Sequence, residues 1–195
     1  MPTMLPSPPH RKTIKHYDDH SQPRELTFSC IHHRPLLSNP TWCRWLSRSI
    51  DQASGRHGFD LAAFVYMPDH VHLVVVPTQA AILVKRLLFA IKRPFSFRVK
   101  QDLEQTDPAL LGSLTVQTGP DAGLFHFWQQ GPGYDRNILS KEAFLKAVEY
   151  IHNNPVRREL CERPEQWKWS SWKHWQEVGQ DTDPDLPRVT PVDFW

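Results

Sequence analysis

The sequence predicts an α+β fold in which strands and helices run β-α-β-β-α-β, with a further helix behind them. Three observations carry this. Leu26–His32, Phe59–Met67, His70–Val76 and Tyr134–Leu139 are short apolar or β-branched runs bounded by turn residues. The second and third are separated only by Met67-Pro68-Asp69, so they form an antiparallel hairpin. Two helical patterns, Pro40 to about Ser54 and about Gln79 to about Val99, lie in the remaining gaps. This order is the ferredoxin-like split βαβ arrangement with an antiparallel sheet.

Each element has a local reason. Pro40 suits the first turn of a helix, and Trp42, Trp45, Leu46, Ile50 and Ala53 make one stripe along it before Gly55 and Gly58 end it. Leu83, Leu87, Ala90 and Ile91 line the core side of the second helix, which Pro94 should kink or split. Residues 101–123 hold Pro108, Gly112, Gly119 and Pro120 and read as a polar loop. Ser140 caps a third helix from Lys141 to about Asn153, with Phe144, Val148 and Ile151 inward and Pro155 as its stop. Residues 1–22, rich in Pro, His and charge, are expected to be a mobile tail. The main domain is then 23–160, and 161–195 is a C-terminal extension with four of the eight tryptophans at 167, 169, 172 and 175.

Composition limits the function classes. The 195 residues, 39% hydrophobic and 23% charged, suffice for one core. No apolar run reaches membrane-spanning length, and the N-terminus lacks a signal-like apolar core, so a cytoplasmic protein is expected. Cys30, Cys43 and Cys161 are too scattered for a zinc motif or a disulfide framework and are expected reduced. Net charge is only +2, but Ala80–Lys100 carries six basic residues and no acidic one. Lys85, Arg86, Lys92 and Arg93 recur on one side of that helix, as an anion-binding face would.

Two constellations bear chemistry. Side chains alternate along a strand, so His70 and His72 point the same way and can share one metal ion. On the third helix Tyr150 and Asn154 are four residues apart and stack on one side, away from the apolar stripe. The two histidines are expected outside the core, so that replacing either leaves the fold intact.

Met67-Pro68-Asp69-His70-Val71-His72-Leu73 and Glu149-Tyr150-Ile151-His152-Asn153-Asn154-Pro155-Val156-Arg157 together resemble the single-tyrosine HUH transposase superfamily, in particular its REP-associated tyrosine transposases. Phe127-Trp128-Gln129, Tyr134-Asp135-Arg136-Asn137 and Trp167-Lys168-Trp169-Ser170-Ser171 look like further blocks in family order. The resemblance implies that Tyr150 is the nucleophile, and that His70, His72 and Asn154 hold Mg²⁺ or Mn²⁺, although imidazoles alone would favour zinc or a late transition metal. It implies a metal-dependent nicking and joining enzyme acting on single-stranded DNA beside hairpins, through a 5′-phosphotyrosine. Lys85, Arg86, Lys92, Arg93 and Arg136 are the expected DNA-contacting residues. The sequence departs from the family pattern at Gln130-Gly131-Pro132-Gly133, which intervenes before Tyr134. The rival readings are a ferredoxin-like nucleic-acid-binding module without catalysis, and a zinc hydrolase, for which no HExxH-type spacing exists.

Other residues read more plainly. Asp69 is a turn residue that could also orient an imidazole. His152 is expected against solvent or DNA. Lys146 is a solvated lysine one turn before Tyr150, which could instead lower the tyrosine pKa or bind phosphate. The tryptophan cluster could stack on bases or pack on the sheet. His32 and His33 are adjacent and expected on opposite sides of a strand, with no pairing that marks either as a ligand. Oligomeric state, monomer or dimer, is open.

Overall fold

A computed structural model describes residues 22–79, 83–131, 133–176 and 183–192. The expected tail lies outside these except for Gln22. The strands are β1 (Arg24–Ser29), β2 (Phe59–Tyr66), β3 (His70–Pro77) and β4 (Tyr134–Asn137). They form one sheet in the order β2-β3-β1-β4, with every neighbouring pair antiparallel. The helices are α1 (Pro40–His57), α2 (Val84–Thr106), α3 (Pro108–Ser113), α4 (Lys141–His152), α5 (Asn154–Arg157) and α6 (Trp172–Gln176). The split βαβ topology is therefore present as the sequence predicts.

Helices cover both faces of the sheet. On one face α1 and α2 pack on Leu26, Phe28, Phe64, Tyr66, Val71, Leu73 and Val75. On the other, Phe144, Ala147, Val148 and Ile151 of α4 pack on Ala63, Val65 and Val74. Alternation along β3 thus sends Val71, Leu73 and Val75 to the first face and His70, His72 and Val74 to the second.

Several boundaries differ from expectation for physical reasons. Gly55 lies inside α1, and the helix ends at Gly58, whose φ of 66° is the left-handed conformation that closes helices. Pro94 lies inside α2 without splitting it, because Leu87, Ile91, Phe95, Val99 and Leu103 continue one buried stripe through it. That stripe carries α2 into the supposed loop at 101–123. Asp107 then caps α3 through Leu110 N, with Pro108 in its first turn. α4 ends at His152 with Asn153 as its cap, as expected, and Pro155 then occupies the first turn of the separate α5.

Gly133, the last residue of the departure at 130–133, has a structural use. Gly133 has φ +73°, and a Cβ there would collide with the Thr27 carbonyl oxygen. Only glycine lets this loop approach β1 so closely and deliver Tyr134 opposite Thr27.

The tryptophan-rich segment seals the β2 edge. Tyr66 N donates to Trp169 O, and Ser171 N donates to Phe64 O, so the segment adds to the sheet. Trp167 and Trp175 donate their indole N–H groups to Tyr66 O and Ala62 O, each at 2.9 Å. Among the described residues no helix is long and apolar enough to cross a membrane.

Candidate active site

The site is assembled from β1, β3 and the α4–α5 junction. Ser29 pairs with His70 and Thr27 with His72 in the β1–β3 ladder, so these four side chains share the α4 face. Each imidazole is held at Nδ1. His70 Nδ1 lies 2.7 Å from Asp69 Oδ1, and His72 Nδ1 lies 2.8 Å from Thr27 Oγ1. Because a carboxylate only accepts, His70 donates from Nδ1, and in the neutral ring that tautomer leaves Nε2 as the ligand position. The two Nε2 atoms face each other at 3.1 Å. Asn154 brings its amide to within 2.9 Å of His72 Nε2.

These groups fit a divalent ion. Two nitrogens at 3.1 Å are spaced as neighbouring ligands of one ion about 2.1 Å from each would be. Asn154 presents Nδ2 to His72, and a half-turn of the amide puts Oδ1 in its place. Among the described residues no cluster of three His, Cys, Asp or Glu offers an alternative centre, so the amide is the third donor at hand.

Burial and charge keep the His72 imidazole neutral and ready as a ligand. Burial, then the neighbouring His70 and Arg158, push His72 down to about 3 against the pull of Asp69. Asp69 is raised by burial, but its bonds to His70 and His33 outweigh this and hold its carboxyl below the usual range. His70 and His72 are only 5% and 7% exposed, so the expectation that they lie outside the core is corrected: α4 covers them, and hydrogen bonds replace their water.

Tyr150 sits at the rim. Its ring lies 6.0 Å from that of His72 and perpendicular to it, with the Arg157 guanidinium 4.8 Å above its face. It is 42% exposed, and its hydroxyl makes no hydrogen bond among the described residues. Tyr150, the two histidines, Asn154, Arg157 and Arg158 line one open cleft of about 420 Å³. The four residues singled out in two distant motifs thus meet in one place. A phenol hydroxyl, two imidazoles with an amide beside them, and two guanidiniums share this cleft, which are the kinds of group that binding and attack on a phosphodiester require.

Other readings change. Asp69 is more than a turn residue, since it bonds both His70 and, at 3.2 Å, His33. His33 has a partner because residues 31–33 form a short 3-10 turn rather than a strand, with φ of 52° at both His32 and His33. His152 faces neither solvent nor DNA: it is buried, bonded to Ser171 at 2.7 Å, and pushed by burial down to about 4. Lys146 is exposed and paired with Glu142. Thr27, His33, Arg157 and Arg158 were not singled out by the sequence; the Arg157-Arg158 pair directly after the Tyr150–Asn154 spacing was the available signal.

The basic helix lies elsewhere. Lys85, Arg86, Lys92 and Arg93 are on α2, across the sheet from Tyr150. Lys92 is half-buried, lies 4.8 Å from the centre of the Phe28 ring, and is lowered by burial. Arg136 is on the Tyr150 side and donates to Glu25 at 2.7 Å. Lys85 and Lys92 share a groove with Gly131 and Asp135, at the open edge strand β4. Asp135 and Arg136 are consecutive on β4, so the groove and the cavity beside Tyr150 lie on either side of that edge strand.

No family model and no curated protein matches the chain. Among solved structures, it is similar to a REP-associated tyrosine transposase bound to a REP hairpin, at 18% identity and a TM-score of 0.67, over 94% of this chain and 95% of that one. A candidate transposase from Deinococcus radiodurans R1 is 17% identical over 74% of this chain and 97% of its own, with a TM-score of 0.44, too low to say anything about this chain. At these identities the first likeness establishes architecture: the chain has the fold of that REP-associated tyrosine transposase.

Proposed function

We propose that the chain is a metal-dependent, single-tyrosine DNA nicking and joining enzyme of transposase type, acting on single-stranded DNA beside hairpins. The observation that carries this reading is the convergence of His70, His72, Asn154 and Tyr150 on one cleft from strands and helices far apart in sequence. The shared fold with a transposase bound to a hairpin supports it.

His70, His72 and Asn154 would hold Mg²⁺ or Mn²⁺, which when bound supplies charge stabilisation to the scissile phosphate. Asp69 and Thr27 fix the two imidazoles, so both Nε2 lone pairs stay aimed at one point. Arg157 and Arg158 bind the non-bridging phosphate oxygens. Tyr150 Oη attacks phosphorus, and the bond to the 3′-oxygen breaks. The phenolic proton leaves to solvent, and the released oxygen takes a proton to become a 3′-hydroxyl. The 5′-phosphate stays on Tyr150 in an ester that conserves the energy of the broken bond, so a second 3′-hydroxyl can displace the tyrosine and join strands. Lys85, Arg86, Lys92 and Arg93 are assigned to the hairpin stem, reached around the β4 edge past Arg136.

The test uses hairpin oligonucleotides labelled on the 5′-phosphate side of the cut. The wild type should give a denaturant-resistant protein–DNA band in Mg²⁺ or Mn²⁺ and none in EDTA. Tyr150→Phe should bind the hairpin and give no band. Binding without a band in either protein would leave a nucleic-acid-binding module. A band with Tyr150→Phe would move the nucleophile to another residue.

A further inference from the structure

Beside Tyr150 lies a second open cavity, of about 530 Å³, whose charged floor the cleavage reaction does not use. It meets the first cleft at Thr27, His72 and Tyr150. Its size falls among small-molecule sites, about 300–1,000 Å³. Its floor is the sheet. Glu25 lies two residues before Thr27 on the same face, Arg136 pairs across from Glu25, and Tyr134 pairs across from Thr27. Its wall is α4, where Lys146 and Tyr150 flank the small side chain of Ala147.

Glu25 is the unexpected member. Its side chain is 7% exposed, yet its one hydrogen-bond partner among the described residues is the Arg136 Nη2 on Oε2. A carboxylate accepts about four hydrogen bonds, so this one has capacity left. Burying it with a single half-exposed partner costs stability that Thr or Val at this strand position would not. The pair sets an acceptor on the floor next to guanidinium donors at the rim. Tyr134, 43% exposed, offers a ring face at the same place.

Among nucleobases, guanine matches this set best. Its Watson–Crick edge offers two adjacent N–H donors to a carboxylate, with O6 beside them for Arg. Cytosine and adenine offer one amino group next to an acceptor, and thymine a single ring N–H between two carbonyls. We propose that this cavity reads the base of the nucleotide next to the phosphate at Tyr150, with Glu25 and Arg136 as the specificity-determining pair and guanine as the preferred base. The proposal rests on the DNA-nicking reading of the adjoining cleft.

The full chain carrying Tyr150→Phe, which binds without cutting, is mixed with hairpins whose single-stranded flanks are randomised, and bound strands are sequenced. One flank position should be enriched in guanine. Fluorescence anisotropy with single oligonucleotides should then show guanine there binding about tenfold tighter than thymine, with hypoxanthine, which lacks the amino group, in between. Adding Glu25→Gln should erase that preference while leaving affinity for the thymine strand within about twofold. A thermal melt confirms that this variant is folded. A flat base profile in the Tyr150→Phe protein overturns the subsite whatever the second variant does. A preference for guanine that survives Glu25→Gln removes Glu25 as its reader. Failure to bind any strand overturns the nicking reading itself, whereas binding with a flat profile removes only the subsite.

Discussion

The two faces of this sheet are built from alternate residues of the same strands, yet they differ in kind. Under α1 and α2 the floor is Leu26 and Phe28 of β1 beside Val71, Leu73 and Val75 of β3, closed by Phe95, Phe127 and Trp128 with ring centres 4.7–5.2 Å apart. Under α4 the same strands give Glu25, Thr27 and Ser29 beside His70 and His72. Both faces are buried at their centres, but the first is held by packing and the second by hydrogen bonds. Burial alone therefore does not separate core from site here. The separation lies in what each side chain is bonded to, and in the open clefts found where α4 meets β1 and β4.

The sharpest way to break that comparison is to remove one group from each face. Phe95 is fully buried, with its ring 4.8 Å from Phe127 and 5.2 Å from Trp128. Phe95→Ala should cost about 3–5 kcal/mol in urea unfolding, mostly through the cavity it leaves. His72→Ala should cost less, about 1–3 kcal/mol, because it leaves the partners Thr27 and Asn154 unsatisfied without opening an aromatic cluster. It should also abolish DNA cleavage. Equal stability costs would mean that the polar face is simply more core.

Acid should act on the polar face through His72 and His152. Burial comes first among the causes at both, and pushes them down to about 3 and about 4 from an ordinary value of 6.5. At pH 5 both are neutral when folded and mostly protonated when unfolded, so the unfolded chain binds more protons. Stability is then unaffected above pH 6.5 and falls as pH drops from there towards 4. The slope approaches about 1.4 kcal/mol per pH unit for each histidine. His152→Gln should remove about one of the two protons taken up on unfolding near pH 5, measured from urea midpoints between pH 7 and 4.5 in EDTA. An unchanged slope would mean that His152 is not held neutral by its burial against Ser171.

What was legible in the sequence follows the same division. The apolar face announces itself by period, as in Phe144, Val148 and Ile151 or Val71, Leu73 and Val75. His70 and His72 were readable because alternation places them together, and Tyr150 with Asn154 because four residues make a helical neighbour. Thr27, Glu25 and His33 were not, because their roles arise from pairings over long sequence separations. Thr27 meets His72 forty-five residues on, and Glu25 meets Arg136 at a separation of 111. Only the β3-β1-β4 strand order creates those contacts, and no local pattern encodes it. The α3 helix was missed for a different reason. Asp107-Pro108 is a good start signal, but Gly112 and the short run after it favoured a loop.

The smallest effect tests whether exposed charge on the α4 side serves the fold or a ligand. Lys146 and Glu142 form an ion pair at 2.6 Å, one turn apart on α4, with side chains 71% and 77% exposed. Such pairs contribute about 0.3–0.5 kcal/mol on a helix, so Lys146→Ala should shift the urea midpoint barely above error. Lys146 nevertheless lines the cavity next to Tyr150. If DNA lies there, one cationic contact to its backbone disappears with the side chain. The plot of log affinity against log salt for a hairpin with a single-stranded flank should then become shallower by about one. Lys85→Ala on α2 should flatten the same plot by a similar amount if the stem reaches around β4. A slope that changes for Lys146 but not for Lys85 would confine the DNA to the α4 side and return the basic side of α2 to ordinary solvation. The reverse result would place the duplex on α2 and leave Lys146 as a solvated partner of Glu142.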